Sequence, residues 1–396
     1  MNLNLDKSAW KRVSLGEVAK HVTDRVDAET SGLERFLAGE HIPSNDLAIT
    51  QWGVIGRDPI GPMFYKRFKP GHVLYVSRRS YLRKTAVPEF EGITGEKTFV
   101  LESRDESVLL QRFLPFVLSA EVFHSYAVAN SRGSVNPYIN WTELANYEFT
   151  LPPVDEQKRL ADLLWAPEFH GQGLATTEAA LRSTRQILVC DRLSRIAEFD
   201  GVARLDSLIE ADRPITYGIL MPGSGVENGV PVIKVKDFPD GRIREGQLLL
   251  TTEELAHEYR RSTLKQGDLV ISIRGTIGRL AEVPVSLAGA NITQDTARLS
   301  VDPKHDRRYV RLALESEFCQ RQIRRKATGT GVLGLNLGAL RKIEVPMPSD
   351  SSIAEDVIRE AEALSKAIDE TGSTRSQLAA LRAALSAEIF GGQSDL

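Results

Sequence analysis

The sequence predicts an α+β fold in which two similar domains are joined and separated by two long helices, paired as an antiparallel coiled coil, with a pseudo-two-fold internal repeat. Three observations predict it. FKPGHVLYVSRRSYLRKTAVP from Phe68 and LKQGDLVISIRGTIGRLAEVP from Leu264 align at an offset of 196 residues, which sets Gly71 on Gly267, Arg78 on Arg274, Arg83 on Arg279, Val87 on Val283 and Pro88 on Pro284. The offset returns downstream, matching Leu118 with Leu314, Glu121 with Glu317, Gly133 with Gly329, Asn140 with Asn336, Leu144 with Leu340, Glu148 with Glu344 and Pro152 with Pro348. A helical, heptad-like stretch then follows each copy. A register kept over that distance marks a duplication.

In chain order, a helix-like segment from Val13 to His21 opens the first copy, and LDSLI at Leu205 mirrors LGEVA at Leu15 at an offset of 190. Short strands follow at Phe36–Ile42, through the basic hairpin, and at Phe99–Leu101; Val230–Phe238 is their counterpart in the second copy, closed by a Pro239-Asp240-Gly241 turn. Leu109 to Val128 reads as one helix burying Phe113, Phe116, Val117, Ala120 and Phe123. The central helix, with Leu174, Leu181 and Leu188 a heptad apart, is expected to break at Pro167 and Gly171–Gly173. The C-terminal helix carries Ile353, Val357, Ala361, Leu364 and Ile368, breaks at Gly372, and resumes through Leu378, Leu381, Leu385 and Ile389. About 40 helical residues at 1.5 Å each give a rod of roughly 60 Å. The expected division is residues 1–151 and 200–348 as the two domains, with 152–199 and 349–396 as the helices between them.

The chain has 396 residues, 42% hydrophobic and 26% charged, and a net charge of −3. No signal-like segment opens it and no apolar run approaches the length needed to cross a bilayer, so a cytoplasmic location without membrane contact is expected. Cys190 and Cys319 stand in unrelated contexts and read as small buried side chains. Charge is unevenly distributed. Pro59 to Pro88 contains seven Lys or Arg residues and no Asp or Glu, and Arg321, Arg324, Arg325 and Lys326 form a second cluster at helical spacing.

Motifs for chemistry are mostly missing: there is no GxxxxGK[ST] loop, no HExxH, and no His/Cys ligand spacing. GTGVLG at Gly329–Gly334 matches GxGxxG but follows a basic helix rather than a strand, and Asn136-Pro137-Tyr138 reads as a turn. What remains suits double-stranded DNA. Arginines offer a bidentate fork to phosphates or guanine edges, hydroxyls donate to phosphates, and glycines permit close backbone approach. The candidate DNA-binding residues are Arg78, Arg79, Ser80, Tyr81, Arg83, Lys84 and Arg132 in the first copy. In the second they are Arg274, Thr276, Arg279, Arg321, Arg324, Arg325 and Lys326. Ser77 and Ser272 are further donors. No catalytic or metal-binding residue is identified.

The order of motifs resembles the specificity subunits of type I restriction–modification enzymes. The likeness rests on Trp10-Lys-Arg-Val-Ser-Leu-Gly-Glu-Val, Gly267-Asp-Leu-Val-Ile-Ser-Ile-Arg-Gly-Thr-Ile-Gly, Gly289-Ala-Asn-Ile-Thr-Gln-Asp and Leu151-Pro-Pro-Val-Asp-Glu-Gln. The second Pro-Pro-x-x-Glu-Gln element departs from the pattern, reading VPMPSDSS. The resemblance implies two target recognition domains, each reading half of a bipartite, asymmetric DNA site, and helices that dock two methyltransferase (modification) subunits. It implies a chain with no active site and no cofactor of its own. S-adenosylmethionine, ATP and Mg are expected on partner subunits, which restriction subunits with motor and nuclease activity can join. Two other readings stand beside it: a self-contained DNA methyltransferase or nuclease, and a coiled-coil scaffold with two protein-binding domains. Binding of S-adenosylmethionine by the chain alone would favour the first, and absent or salt-insensitive DNA binding the second.

Overall fold

The computed structural model describes residues 3–329 and 333–391. The chain divides into two compact units, one comprising Met1–Thr177 with Thr371–Leu396 and the other Glu178–Glu370. This division cuts through both long helices, so each unit takes part of each helix.

In the first unit a four-stranded sheet has the order Ala19–His21, Thr98–Ser103, Val73–Val76, Thr85–Ala86. A second sheet has the order Gly53–Val54, Arg35–Leu37, Gly92–Gly95, Phe64–Phe68. Its one parallel pair sets Phe36 on Ile93. Lys11–Ser14 pairs antiparallel with Glu148–Leu151, closing the unit near its two chain ends. The expected helix over Val13–His21 is only the single turn Leu15–Val18, between two strands. Ser14 N donates to Glu17 Oε2 at 2.7 Å, a capping contact that fixes where the turn begins.

The second unit repeats this plan. Thr216–Tyr217, Thr296–Leu299, Leu269–Ser272 and Leu280–Glu282 form its four-stranded sheet, and Val202–Arg204 pairs with Glu344–Pro346. Leu249–Thr251, Val230–Ile233 and Asn291–Ile292 form the other sheet, again with one parallel pair. Among the described residues a counterpart of Phe64–Phe68 is lacking; the stretch before Gly267 is helical instead, at Glu253–Glu258 and Arg260–Ser262. The central strands read VLYV and LVIS and are buried throughout, as expected of strands flanked on both edges and covered on both faces.

The expected single helix over Leu109–Val128 is two, Leu114–Val117 and Glu121–Ala129, because Ala120 is extended at ψ 144°. The second unit breaks at the matching Ser316, ψ 155°, between Arg307–Glu315 and Glu317–Lys326. The five predicted core residues of this stretch are nonetheless all buried.

The long helices run unbroken over Val154–Phe199 and Ser351–Phe390, contrary to the breaks expected at Pro167, Gly171–Gly173 and Gly372. Side chains on either side of Pro167 are anchored: Trp165 Nε1 donates to Arg112 O at 2.9 Å, and Glu168 accepts from Leu47 N and from Arg382. Tertiary contacts of this kind hold a helix through a missing backbone bond. The seam also differs from expectation at one point, because Leu381 is exposed and Arg382 turns inward to Glu168. In the second unit the two helices run antiparallel, since Arg185 bonds Ser365 at 2.8 Å and Arg192 bonds Glu360 at 2.7 Å. In the first unit Leu160 and Leu164 share one core with Leu385 and Ile389. Gln157, of the Pro-Pro-x-x-Glu-Gln element, is fully buried; its amide donates to Val108 O and Pro152 O and accepts from Leu110 N. That motif residue therefore seals the start of the central helix.

Cys319 is buried, and burial pushes its thiol up to about 12, whereas Cys190 is only half-buried. Among the described residues no helix is long and apolar enough to cross a membrane.

Two histidines of the first unit are held neutral. Burial, aided by the Lys66 charge, pushes His21 down to about 4, and burial, aided by Arg83, does the same to His124. Both folded values lie below the ordinary 6.5, so the unfolded chain binds more protons between the two values. The stability linked to these side chains is complete above pH 6.5 and is lost as pH falls towards 4. Thermal melts should show the midpoint falling across this window, with a shallower fall in the His21→Gln/His124→Gln variant. Equal slopes for the two proteins would contradict this assignment.

Candidate nucleic-acid interface

The basic stretch of the first unit leaves the sheet at Ser77, makes a turn of 3-10 helix at Ser80–Leu82, and re-enters as Thr85–Ala86. Arg79 and Arg83 flank that turn in the left-handed region, at φ 56° and 54°. Such a backbone is unusual for a side chain larger than Asn and is held here by a second loop. Arg79 N donates to Pro137 O at 2.6 Å, Ile139 N donates to Ser77 O at 3.0 Å, and Arg132 and Tyr138 exchange backbone bonds at 2.8 and 2.9 Å. Asn136-Pro137-Tyr138 is thus part of a closed turn that supports the basic loop.

The second unit makes the same junction. Gly275 N donates to Leu333 O at 3.3 Å, Leu335 N donates to Ile273 O at 2.8 Å, and Thr328 and Gly334 exchange bonds at 2.9 and 2.8 Å. Each of these residues lies 196 positions after its counterpart. The left-handed positions are here Gly275 and Gly278, at φ 71° and 86°. The return strand, however, has slipped. Lys84 O accepts from Val76 N where Arg279 O accepts from Ser272 N, so Arg279 matches Lys84, and Gly278 matches Arg83. The expected pairing of Arg83 with Arg279 is therefore off by one, because the second loop is one residue shorter. GTGVLG lies partly outside the described residues.

The candidate side chains divide by environment. Arg78 is exposed and its guanidinium has no partner among the described residues, and Tyr81 beside it is 52% exposed. Arg274 is 54% exposed, with Nη1 at 3.3 Å from Gln294 Oε1 and 3.9 Å from Asp295. Arg79 Nε donates to Asn136 Oδ1 at 2.7 Å, which ties the two loops together. Arg83 pairs with Glu121 at 2.6 Å and Arg132 with Glu143 at 2.5 Å. Exposed pairs of this kind contribute little in water, so exchanging the carboxylate for a phosphate costs little. Lys84 donates to Gly39 O, and partial burial pulls its ammonium below the usual range. Arg279 is half-buried, and Thr276 is exposed.

The serine hydroxyls expected to donate outward turn inward instead. Ser80 is buried, bonded to Ser77 O and to the Ser131 hydroxyl. Ser77 donates to Lys97 O, and Ser272 donates to Thr276 O while accepting from Arg279 N. These serines shape the loops by satisfying buried backbone groups. Not all of the cationic stretch is at the surface either. Lys66 is buried, donates to Glu96 O and Thr98 O, and is pushed down to about 8, mainly by burial. In the second cluster Arg324 bonds Glu317 and Arg321 lies 3.7 Å from the same carboxylate, whereas Arg325 and Lys326 stay exposed on the last turn of that helix. The first unit's equivalent, Glu121–Ala129, carries no Lys or Arg, so this cluster belongs to one copy only.

Beside each basic loop lies a cavity. In the first unit it measures about 250 Å³ and is walled by His21, Lys66, Phe99, Tyr138 and Trp141. The corresponding groove of the second unit measures about 1070 Å³, between Tyr217, Lys236, Arg274, Thr276 and Asn336. Sequence reasoning named Arg274 and Thr276 but missed the walls His21, Phe99, Trp141, Tyr217 and Lys236, which come from segments far from the basic stretches. The recurring Ile-Thr ahead of Glu96-Lys97 and ahead of Gln294-Asp295 was the available signal.

Fold and site together define a duplicated α+β protein that presents two equivalent, differently decorated cationic loops. No family model matches the chain. It is 29% identical over 161 residues to the Type I restriction enzyme EcoBI specificity subunit of Escherichia coli, covering 40% of this chain and 34% of that protein. With the MjaVIII specificity subunit of Methanocaldococcus jannaschii it shares 20% identity over 372 residues, covering 86% and 82% of the two chains. The match thus spans about a third of the E. coli relative and most of the archaeal one. Among solved structures, the type I restriction–modification system S subunit from M. genitalium aligns with a TM-score of 0.61 at 14% identity, covering 98% of this chain and 97% of that one. A chain from a study of type I R-M complex assembly and conformational transition aligns at 0.59 with 18% identity, covering 97% and 98%. The chain is a homologue of type I restriction enzyme specificity subunits.

Proposed function

We propose that this chain is the DNA sequence-recognition subunit of a type I restriction–modification complex, each unit binding one half of a bipartite, asymmetric duplex site. The observation that carries the reading is the repeated loop junction, with one backbone scaffold bearing different side chains in each unit. Two alike frames with unlike tips are what reading two different half-sites requires. Arg78 and Arg274 supply contacts at matched positions, and Arg79, Arg83, Lys84, Arg132, Arg279, Arg325 and Lys326 supply surrounding charge. The long helices act as an antiparallel coiled-coil spacer between residues 1–151 and 200–348 and as the docking surface for two methyltransferase subunits. In this reading the chain performs no chemistry, and S-adenosylmethionine, ATP and Mg belong to its partners.

Duplex binding by the full chain with its methyltransferase subunits is expected to weaken with salt. The plot of log K against log salt should be linear, falling by about 0.9 per phosphate neutralised. The chain alone should show no stoichiometric S-adenosylmethionine binding by calorimetry. Salt-independent or absent duplex binding would contradict the proposal.

A further inference from the structure

The two units differ chemically where their backbones agree. Lys97 and Asp295 occupy one place: Ser77 N donates to Lys97 O at 2.8 Å, and Ile273 N donates to Asp295 O at 2.8 Å. Each immediately precedes a strand in the same register, with Thr98 opposite Val76 and Thr296 opposite Ser272. Glu96 and Gln294 come one residue earlier, and all four residues line the cavities beside the basic loops. The pair is Glu-Lys in one unit and Gln-Asp in the other. A cation in one copy therefore stands where the other has an anion.

Structural duty at these positions falls on the backbone. The carbonyl of Glu96 accepts from Lys66 Nζ, its N–H donates to Met63 O at 3.0 Å, and Gln294 N donates to Ile219 O at 2.9 Å. The side chains are left accessible: Glu96 is 40%, Lys97 39% and Asp295 44% exposed. Their internal contacts are loose, with Lys97 Nζ 3.6 Å from Glu96 and 5.1 Å from the Tyr138 ring centroid, and Asp295 3.9 Å from Arg274. Exposed contacts of that length contribute little to folding. Fixed backbone, accessible side chains and opposite chemistry at equivalent points are the properties of a reading position.

We infer that the dipeptides Glu96-Lys97 and Gln294-Asp295 discriminate bases for their respective units, an inference that rests on the DNA-recognition reading above. Base-edge chemistry sets what each takes. Lys97 donates to guanine O6 and N7 while Glu96 accepts from cytosine N4, a combination for a G·C pair. Gln294 matches the adenine N6 and N7 edge, and Asp295 accepts from an exocyclic amine. Arg274 Nη1 lies 3.3 Å from Gln294 Oε1 and 3.9 Å from Asp295, so the three side chains share one surface.

The test is selection from a random duplex library by the full chain with its methyltransferase subunits, comparing wild type with Glu96→Gln/Lys97→Asp and Gln294→Glu/Asp295→Lys. The first variant should change base preference in one block of the selected site, away from G·C, and the second in the other block only. Asp295→Asn and Lys97→Gln are near-isosteric and serve if a double variant fails to fold; each should relax one block. Folded variants that bind duplex and select the wild-type sequence in both blocks would overturn this inference and leave the recognition reading intact. Changes of both variants in the same block would also overturn it. If wild type selects no sequence, the recognition reading itself fails.

Discussion

Arg382→Ala is expected to destabilise the first unit by about 3–5 kcal/mol, the usual result of leaving a buried carboxylate without its partner. Its guanidinium bonds Glu168 and Asn45 O, and the two side chains are only 21% and 6% exposed. Burial raises the Glu168 carboxyl above its ordinary range despite the opposing Arg382 charge, so removing that charge leaves, among the described residues, only Leu47 N to satisfy it. Glu168→Ala should cost less, because Arg382 is nearer water and keeps its bond to Asn45. Replacing both by leucine should recover much of the loss. Urea midpoints of the four proteins test this ranking, and adding the double alanine variant closes the cycle that gives the coupling. A midpoint unchanged in Arg382→Ala would show the pair to be structurally idle.

Arg78→Ala and Arg274→Ala should each weaken duplex binding by about 1–3 kcal/mol, roughly five-fold to more than a hundred-fold, without moving the thermal midpoint. Neither guanidinium holds the fold together: Arg78 has no side-chain partner among the described residues, and Arg274 makes only long contacts. The loop shape depends on backbone bonds that an alanine retains. If either residue reads a base, specificity relaxes at one position; if it meets only phosphate, affinity falls evenly across sequences and the salt slope drops by about one. Unchanged affinity of both variants at matched salt would put the binding surface elsewhere.

Much of the architecture was legible because duplication writes the same pattern twice. Asn336 N-caps its short helix as Asn140 precedes its own, and both hairpins leave their sheets at matched residues. What was not legible depended on contacts between distant segments. Pro167 and Gly372 read as helix breakers, yet continuity is decided by anchors such as Trp165 on Arg112 O. Arg83 and Arg279 align by letter, and only the backbone pairing reveals the one-residue slip. Ser77, Ser80 and Ser272 looked like phosphate donors because a sequence does not show which way a hydroxyl turns. Lys66 counted towards the basic run although it is buried against Thr98 O. Gln294-Asp295 entered only as the end of the Gly289–Asp295 motif and Glu96-Lys97 not at all; the cavities placed both pairs beside the loops.

The central claim, that each unit reads one half of an interrupted site, is tested most directly by methylome sequencing. Cells would carry this chain with its methyltransferase partner, and then a version whose residues 1–151 come from a relative. The account predicts a motif of two specified blocks separated by unspecified bases, with the exchange altering one block and leaving the other unchanged. An uninterrupted motif, or an exchange that rewrites both blocks, would contradict it.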